Sequence, residues 1–290
     1  MAIIKGKAVS GLVGNTVYRN LSGIQVAQSR PEFTKKSQTI GTKEAAAIFG
    51  QASHLSQVIR HAMHDIVCKL CDGAMHARLT GELQRCLSLT KINQPPPIKP
   101  ASQRIFIGKG LNADKTQKNN ANKTKRMEPL RFQFNADSFG SLTGFEFNIK
   151  SPLKKLLFIR PHIRLEGMRL WVDIPEFSLP GDLRFPETGI DARLVISTAI
   201  IDLHDKEASS EDPQFMDIPN SHKVTSLPGK SFSFDLKPGC LCITGITIEY
   251  LEETFSGQRL INNKMFHPAA ILHTIVTDAA GPDFRERPAR

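Results

Sequence analysis

The sequence predicts an α+β protein in which an N-terminal β-hairpin and a helical hairpin precede a C-terminal antiparallel β-sandwich, immunoglobulin-like in arrangement. Three observations predict this fold class. Apolar residues recur at helical spacing between residues 43 and 89. From residue 131 onward, short stretches alternate apolar and polar residues and are separated by Gly and Pro. No helical pattern interrupts those stretches, which is typical of antiparallel sheets packed face to face.

Residues 1–42 are predicted to form a basic β-hairpin arm. Val13, Val17 and Tyr18 lead into a Ser-Gly turn, and the alternating stretch from Ile24 to Gln28 returns. A two-stranded hairpin alone is marginally stable in water. We therefore expect it to join a sheet, either in its own chain or in a neighbouring copy.

Residues 43–92 are predicted to form a helical hairpin. The first helix is expected over 43–71, with Thr42 as its N-cap and a stop at Cys71-Asp72-Gly73. The second helix is expected over 74–89. The two helices carry the following apolar stripes: Ile48, Ala52, Leu55, Ile59, Ala62, Ile66 and Leu70 on the first, and Met75, Leu79, Leu83 and Leu87 on the second.

Residues 93–128 are predicted to be a basic linker rich in Pro, Asn and Lys, because Pro95-Pro96-Pro97 favours an extended spacer. Residues 129–290 are predicted to be the sandwich domain, which is long enough to close a core. The strand candidates are 131–135, 144–149, 168–174, 192–203, 222–226, 230–236, 240–251 and 269–277.

The charge of the chain is divided unevenly. Residues 1–130 hold 20 Lys and Arg against 7 Asp and Glu, a net charge of +13, whereas the remaining residues hold 18 against 21, a net charge of −3. An acidic stretch over 202–217 is expected to be a solvated loop. A basic arm and an acidic surface attract each other between copies, which predicts an interaction site. The candidate residues are Tyr18, Arg19, Arg30, Lys35, Lys36, Asp202, Asp205 and Glu207.

Catalytic, cofactor and metal residues are not predicted. His61, His64, Cys68 and Cys71 lie on one helical stripe, but about 15 Å of helix separates its ends, too far for all four to bind one ion. Two of them could bind an ion only with a ligand from the second helix, His76 or Cys86. Cys68 and Cys71 have the spacing of a redox pair, yet they end a helix rather than begin one. The single tryptophan, Trp171, is expected in the core rather than on a sugar-binding surface.

These patterns predict a non-enzymatic structural or interaction protein that self-associates, or binds another protein, through its basic arm. The alternative is a nucleic-acid-binding protein whose basic half contacts phosphates. The sequence shows no secretory signal and no apolar stretch long enough to span a bilayer, so a cytoplasmic protein without membrane insertion is expected. Five cysteines without a disulfide framework agree with that expectation, and export without a signal remains an alternative.

The segment from Gly11 to Pro31 carries the motif G-x-x-G-N-x-V-Y-R-x-x-x-G, followed by Arg and Pro. It resembles the start of a bacterial family of uncharacterised proteins, and the stretches 49–53 and 144–148 look similar too. The resemblance implies the same hairpin and β-rich C-terminal half. It implies no activity, cofactor or catalytic residue.

Overall fold

The computed structural model describes residues 2–5, 8–21, 24–30, 39–92, 130–186, 190–219 and 224–278. The chain divides into two compact units, residues 1–44 and residues 45–290. The predicted linker over 93–128 lies outside the described residues.

The N-terminal unit contains a four-stranded antiparallel sheet in which each strand pairs with the next. Its strands are β1 (Ala2–Lys5), β2 (Ala8–Val13), β3 (Thr16–Leu21) and β4 (Ile24–Ser29). Gly14 turns the chain between β2 and β3 with a φ of 57°, a left-handed conformation that glycine adopts without strain. The predicted hairpin is therefore part of a larger sheet.

The helices are α1 (Ile40–Ala62), α2 (His64–Val67) and α3 (Met75–Thr90). The predicted apolar stripes are buried at Ile48, Leu55 and Ile59, and throughout the α3 positions. Two details of the prediction are wrong. Thr39, not Thr42, caps α1, because its Oγ1 accepts a hydrogen bond from the Thr42 amide at 3.2 Å. The first helix also breaks at Met63 and ends at Val67, since Cys68 and Lys69 adopt positive φ angles of 46° and 59°.

The C-terminal unit is built on a six-stranded antiparallel sheet. Its long central strands pair along their whole length, and two shorter strands pair with the outer edge of each. The strands are β8 (Ile190–Asp202), β9 (Ala208–Ser210), β10 (Gln214–Ile218), β13 (Cys240–Thr254), β14 (Gly257–Leu260) and β15 (Ala269–Val276). Strands β8 and β13 form the central pair.

Two smaller sheets complete the unit. A three-stranded sheet has the order β12-β6-β5, and a two-stranded sheet joins β11 and β7. These strands are β5 (His162–Glu166), β6 (Arg169–Ile174), β7 (Phe177–Ser178), β11 (Ser226–Leu227) and β12 (Lys230–Asp235). Short 3₁₀ turns lie at Gly140–Leu142 and Leu153–Lys155.

The six-stranded sheet contributes to a separate apolar core on each face, because alternate residues of a strand point to opposite sides. Leu194, Ile196 and Ile248 pack with Val172 and Phe232 of the three-stranded sheet. On the other face, the side chains pack with the helices, and this second core includes Ile59, Met63, Leu79, Val195, Ile243 and Ile271. Helices α1, α2 and α3 therefore cover one face of the sheet.

The predicted α+β class is confirmed at this level: an N-terminal sheet, few helices and a C-terminal antiparallel sheet. Residues 131–135 and 144–149 are not strands, and contribute only isolated bridges at Phe132 and Glu146. Part of the predicted acidic loop is strand, because β9 and all of β10 except Ile218 lie within 202–217. Of the predicted 222–226 strand, only Ser226 lies in a strand among the described residues.

Candidate interaction surface

The side chains of the N-terminal sheet are not buried where the structure describes their exposure. In the ranges 9–20 and 24–30, no side chain is buried. The pairing register places Leu12, Val17, Ile24 and Val26 on one face of the sheet, and Ile24 is 69% exposed. Arg19 and Gln28 lie on the same face, opposite Val26 and Val17. Sheets of this size gain stability by covering apolar side chains, so this face is suited to a partner surface.

Strand β4 forms one edge of this sheet among the described strands. Its sequence, IQVAQS, contains neither a charged residue nor a proline. Natural edge strands are usually protected by such residues, because an unprotected row of N–H and C=O groups pairs readily with another strand. The β4 edge therefore has the properties of a strand-pairing site.

The structure places the predicted basic-arm residues around this edge strand. Tyr18 and Arg19 lie on β3, opposite Ala27 and Val26 of β4. The Arg30 amide, directly after β4, donates a hydrogen bond to the Asn15 carbonyl at 2.7 Å. Arg19 and Arg30 are exposed, and Tyr18 is half-buried. Lys35 and Lys36 lie outside the described residues.

The predicted acidic residues close the turn between β8 and β9. Asp202 Oδ1 accepts the amides of His204 at 2.7 Å and Asp205 at 3.2 Å, and these hydrogen bonds lower the pKa of Asp202. Asp205 Oδ1 contacts His204 Nδ1 at 2.8 Å, which raises the pKa of the imidazole. The Glu207 carbonyl accepts the Asp202 amide at 2.9 Å. These three acidic residues are thus brought together, and they belong to the second compact unit.

A second exposed surface covers the outer face of the three-stranded sheet. Cross-strand pairing arranges nine side chains in three rows with Trp171 at the centre. The rows are His162-Asp173-Ser231, Arg164-Trp171-Ser233 and Glu166-Arg169-Asp235. Because β6 alternates, Leu170 and Val172 point into the core while Trp171 is only half-buried. The expectation that Trp171 belongs to the core is therefore wrong.

The charges on this outer face are paired with one another. Arg164 Nε donates to Asp173 Oδ2 at 2.6 Å, and its guanidinium lies 5.5 Å from the centre of the Trp171 ring. Hydrogen bonds from Arg164 and Ser231 lower the pKa of Asp173. Arg169 Nε contacts Asp235 Oδ1 at 2.7 Å. Arg164 and Arg169 are thus each paired with a carboxylate, and Arg164 partly covers the tryptophan.

The stripe of His and Cys on the first helix does not converge on a ligand. His61 and His64 are exposed, and Cys68 Sγ donates to the Asp65 carbonyl at 2.9 Å. Burial raises the pKa of Cys68 to about 11, with nearby Glu249 and Asp65 adding to the effect. Such a thiol stays protonated at neutral pH and is a poor nucleophile. Within the described ranges, His, Cys, Asp and Glu side chains form no group that could hold a metal ion.

A buried polar network around His267 ties the end of α2 to the sheet. The ring Nε2 lies 2.8 Å from the Ile66 carbonyl, which can only accept, so Nε2 carries the proton. The side-chain Nδ2 of Asn262 donates to the Ile248 carbonyl at 2.8 Å and to His267 Nδ1 at 3.0 Å. Desolvation lowers the pKa of His267, and the ring is neutral. The network needs this neutral form, because protonated Nδ1 would face an amide donor.

A second network ties the connection between α2 and α3 to the chain before the three-stranded sheet. Asp72 Oδ1 accepts the Ala74 amide at 2.8 Å, and Oδ2 accepts the Ile149 amide at 3.1 Å and a hydrogen bond from Arg78. Burial alone would raise the pKa of Asp72, but these donors outweigh it and the pKa is lowered. Arg78 Nη1 also donates to the Glu146 carbonyl at 2.8 Å.

Neither the two networks nor the outer-face array is among the features predicted from the sequence. The alternation Arg169-Leu170-Trp171-Val172-Asp173 carried a signal for the array, because its charged ends share the face of Trp171. No comparable signal existed for the networks, since their members lie up to 201 residues apart.

None of the described helices has the length and apolar character needed to cross a membrane. Comparison with family models, with curated proteins and with solved structures finds no match to this chain. The resemblance to an uncharacterised bacterial family and the cytoplasmic location therefore stay predictions.

Proposed function

We propose that this chain is a non-enzymatic structural or interaction protein that self-associates through its N-terminal sheet. The observation that carries the proposal is the sheet itself: in the described ranges 9–20 and 24–30 no side chain is buried. One edge strand, β4, also lacks the charges and prolines that keep edges apart. A neighbouring strand would supply main-chain hydrogen bonds, and a neighbouring surface would cover the apolar face.

The larger unit serves in this proposal as a rigid support with a sandwich arrangement. The support for a sandwich is the shared core of the six-stranded and three-stranded sheets, in which Ile196 and Phe232 both pack. The helical layer on the opposite face is an addition to the immunoglobulin-like pattern. Its buried polar groups also suit a structural role, since Asp72 and His267 hold elements together through backbone hydrogen bonds.

The alternative function is nucleic-acid binding through the basic arm. It is favoured by the exposed guanidinium groups of Arg19 and Arg30, which lie beside an edge strand rather than in a core. Phosphate contacts of this kind depend strongly on salt, whereas strand pairing does not. This difference separates the two functions.

The test measures the mass of the full-length chain by light scattering at low and at high salt, with absorbance read at 260 and 280 nm. A mass above 32.2 kDa that survives high salt without excess absorbance at 260 nm supports self-association. A single chain that carries nucleic acid only at low salt favours the alternative. A single chain that carries none under either condition contradicts both.

A matched variant sharpens the comparison. Replacing Arg19 and Arg30 together by Gln keeps the strands but removes two positive charges. Self-association through strand pairing should be retained in this variant. If both residues contact phosphates, the slope of the logarithm of the nucleic-acid binding constant against the logarithm of the salt concentration should become less negative by about two.

A further inference from the structure

We infer that two copies of this chain pair their β4 edges antiparallel about a two-fold axis centred on Ala27, which joins two four-stranded sheets into one. This inference rests on the proposed function and names its partner, a second copy.

The backbone groups available at the edge follow from one hydrogen bond. The Arg30 amide points toward β3, because it donates to the Asn15 carbonyl at 2.7 Å. Backbone groups alternate in direction along an antiparallel strand. The N–H and C=O groups of Gln25, Ala27 and Ser29 therefore point away from β3, toward the side on which β4 has no neighbour among the described strands.

Only one symmetric register uses all three of these residues. With the axis at Ala27, each Ala27 faces the partner's Ala27, and each Gln25 faces the partner's Ser29. The pairing then makes about six main-chain hydrogen bonds, since each hydrogen-bonded pair of an antiparallel ladder exchanges two. An axis at Val26 or at Gln28 would leave one outward residue of each strand outside the paired segment.

The same register keeps the basic residues apart, although both arms are positively charged. Arg30 of one copy lies opposite Ile24 of the other, so the two Arg30 residues are about six residues, or 20 Å, apart along the strands. The two Arg19 residues are separated by three strand spacings, about 14 Å. Both distances exceed the Debye length of about 8 Å at physiological ionic strength. Pairing of identical edges also closes on itself and yields a dimer rather than a filament.

The experiment places charges on the proposed axis in the full-length chain. Ala27→Lys and Ala27→Glu each place like charges on two residues whose Cα atoms lie about 5.5 Å apart across the axis in a dimer, whereas a single chain tolerates either charge on its exposed strand. Each variant alone should behave as one chain of 32.2 kDa, with dimer affinity at least tenfold weaker. An equimolar mixture of the two should regain twice that mass. The Ala27→Ser control should form dimers like the unmodified chain.

A second variant tests the hydrogen bonds rather than the charge. Ala27→Pro removes an outward N–H while leaving the β3 pairing intact, a position that edge strands tolerate. It should dissociate the dimer, and amide exchange at Gln25 and Ser29 should accelerate. This register would be overturned if Ala27→Pro still formed dimers, or if the mixture of Ala27→Lys and Ala27→Glu stayed monomeric. A native mass above two chains would also overturn it. None of these three results would contradict self-association itself. A native chain that is monomeric at all salt concentrations would overturn self-association as well.

Discussion

Replacing Asp72 by Asn tests whether the buried carboxylate holds the helices to the sheet. The Asp72 side chain is 3% exposed and accepts the amides of Ala74 and Ile149, together with Arg78. An Asn side chain offers one acceptor oxygen, so at least one buried N–H group loses its partner, at a cost of about 1–3 kcal/mol. Losing the charged acceptor for the partly exposed Arg78 adds about 1 kcal/mol. We expect Asp72→Asn to lower the free energy of unfolding by about 3 kcal/mol.

Urea unfolding followed by the fluorescence of Trp171, the only tryptophan, measures this change. With a denaturant slope of about 2–3 kcal/mol per molar, the midpoint should fall by about 1–1.5 M. The matched control is Asp235→Asn, which breaks an exposed ion pair with Arg169 and should leave the midpoint close to that of the unmodified chain.

The dependence of this difference on pH gives a second check. Because the pKa of Asp72 is lower in the folded chain, the unfolded chain binds its proton first as the pH falls. The ionised carboxylate therefore contributes stability above about pH 4, and this contribution is lost as the pH falls through the folded pKa. The midpoints of the native chain and of Asp72→Asn should converge in acid. Equal midpoints at pH 7, or a difference that grows in acid, would refute the reasoning.

Three further predictions concern other parts of the larger unit. Gly50→Ala should stabilise α1 by about 0.5–1 kcal/mol, because a Cβ there meets nothing within 4 Å; an unchanged or lower melting temperature would count against this. The unmodified chain should lose stability as the pH falls from about 7 to 5, because the lowered pKa of His267 makes the unfolded chain bind the proton first. In His267→Gln the urea midpoint should fall less over that range, and an equal fall in both chains would contradict the prediction. Arg164→Ala should shift the emission of Trp171 to longer wavelength, and an unchanged spectrum would show that the guanidinium does not cover the ring.

Periodicity in the sequence predicted the elements whose burial depends on local pattern. The spacing of Ile48, Leu55 and Ile59 located the buried side of α1, because one helical face contacts one core. The stretches that form β8 and β13 are also predicted as strands, because they belong to a series of β-type patterns separated by Gly and Pro turn signals. Both strands are covered on two sides, so their alternating residues are apolar on both faces.

The features that depend on distant residues could not be predicted. The carbonyl of Ile66 accepts a hydrogen bond from the ring of His267. The end of the first helix is therefore held by a residue 201 positions further along the chain. The acidic composition of 202–217 predicts a loop where β10 lies, although Met216 and Ile218 are buried. The side chains of Phe215 and Arg193 stack on the other face, and Asp217 pairs with Arg193. The candidate surface was predicted only as a basic arm, since the outward groups of β4 depend on the sheet register.

The helical layer has a consequence for the synthesis of this protein. Helix α3 ends at Thr90, but the sheet that covers the apolar sides of the helices is completed only at Val276. At about 5–20 residues per second, the ribosome needs roughly 10–40 s to produce the chain between these points. During that interval the nascent helices expose their apolar stripes without a sheet to cover them. Delayed completion of the sheet is therefore a stage at which newly made chains are exposed to aggregation.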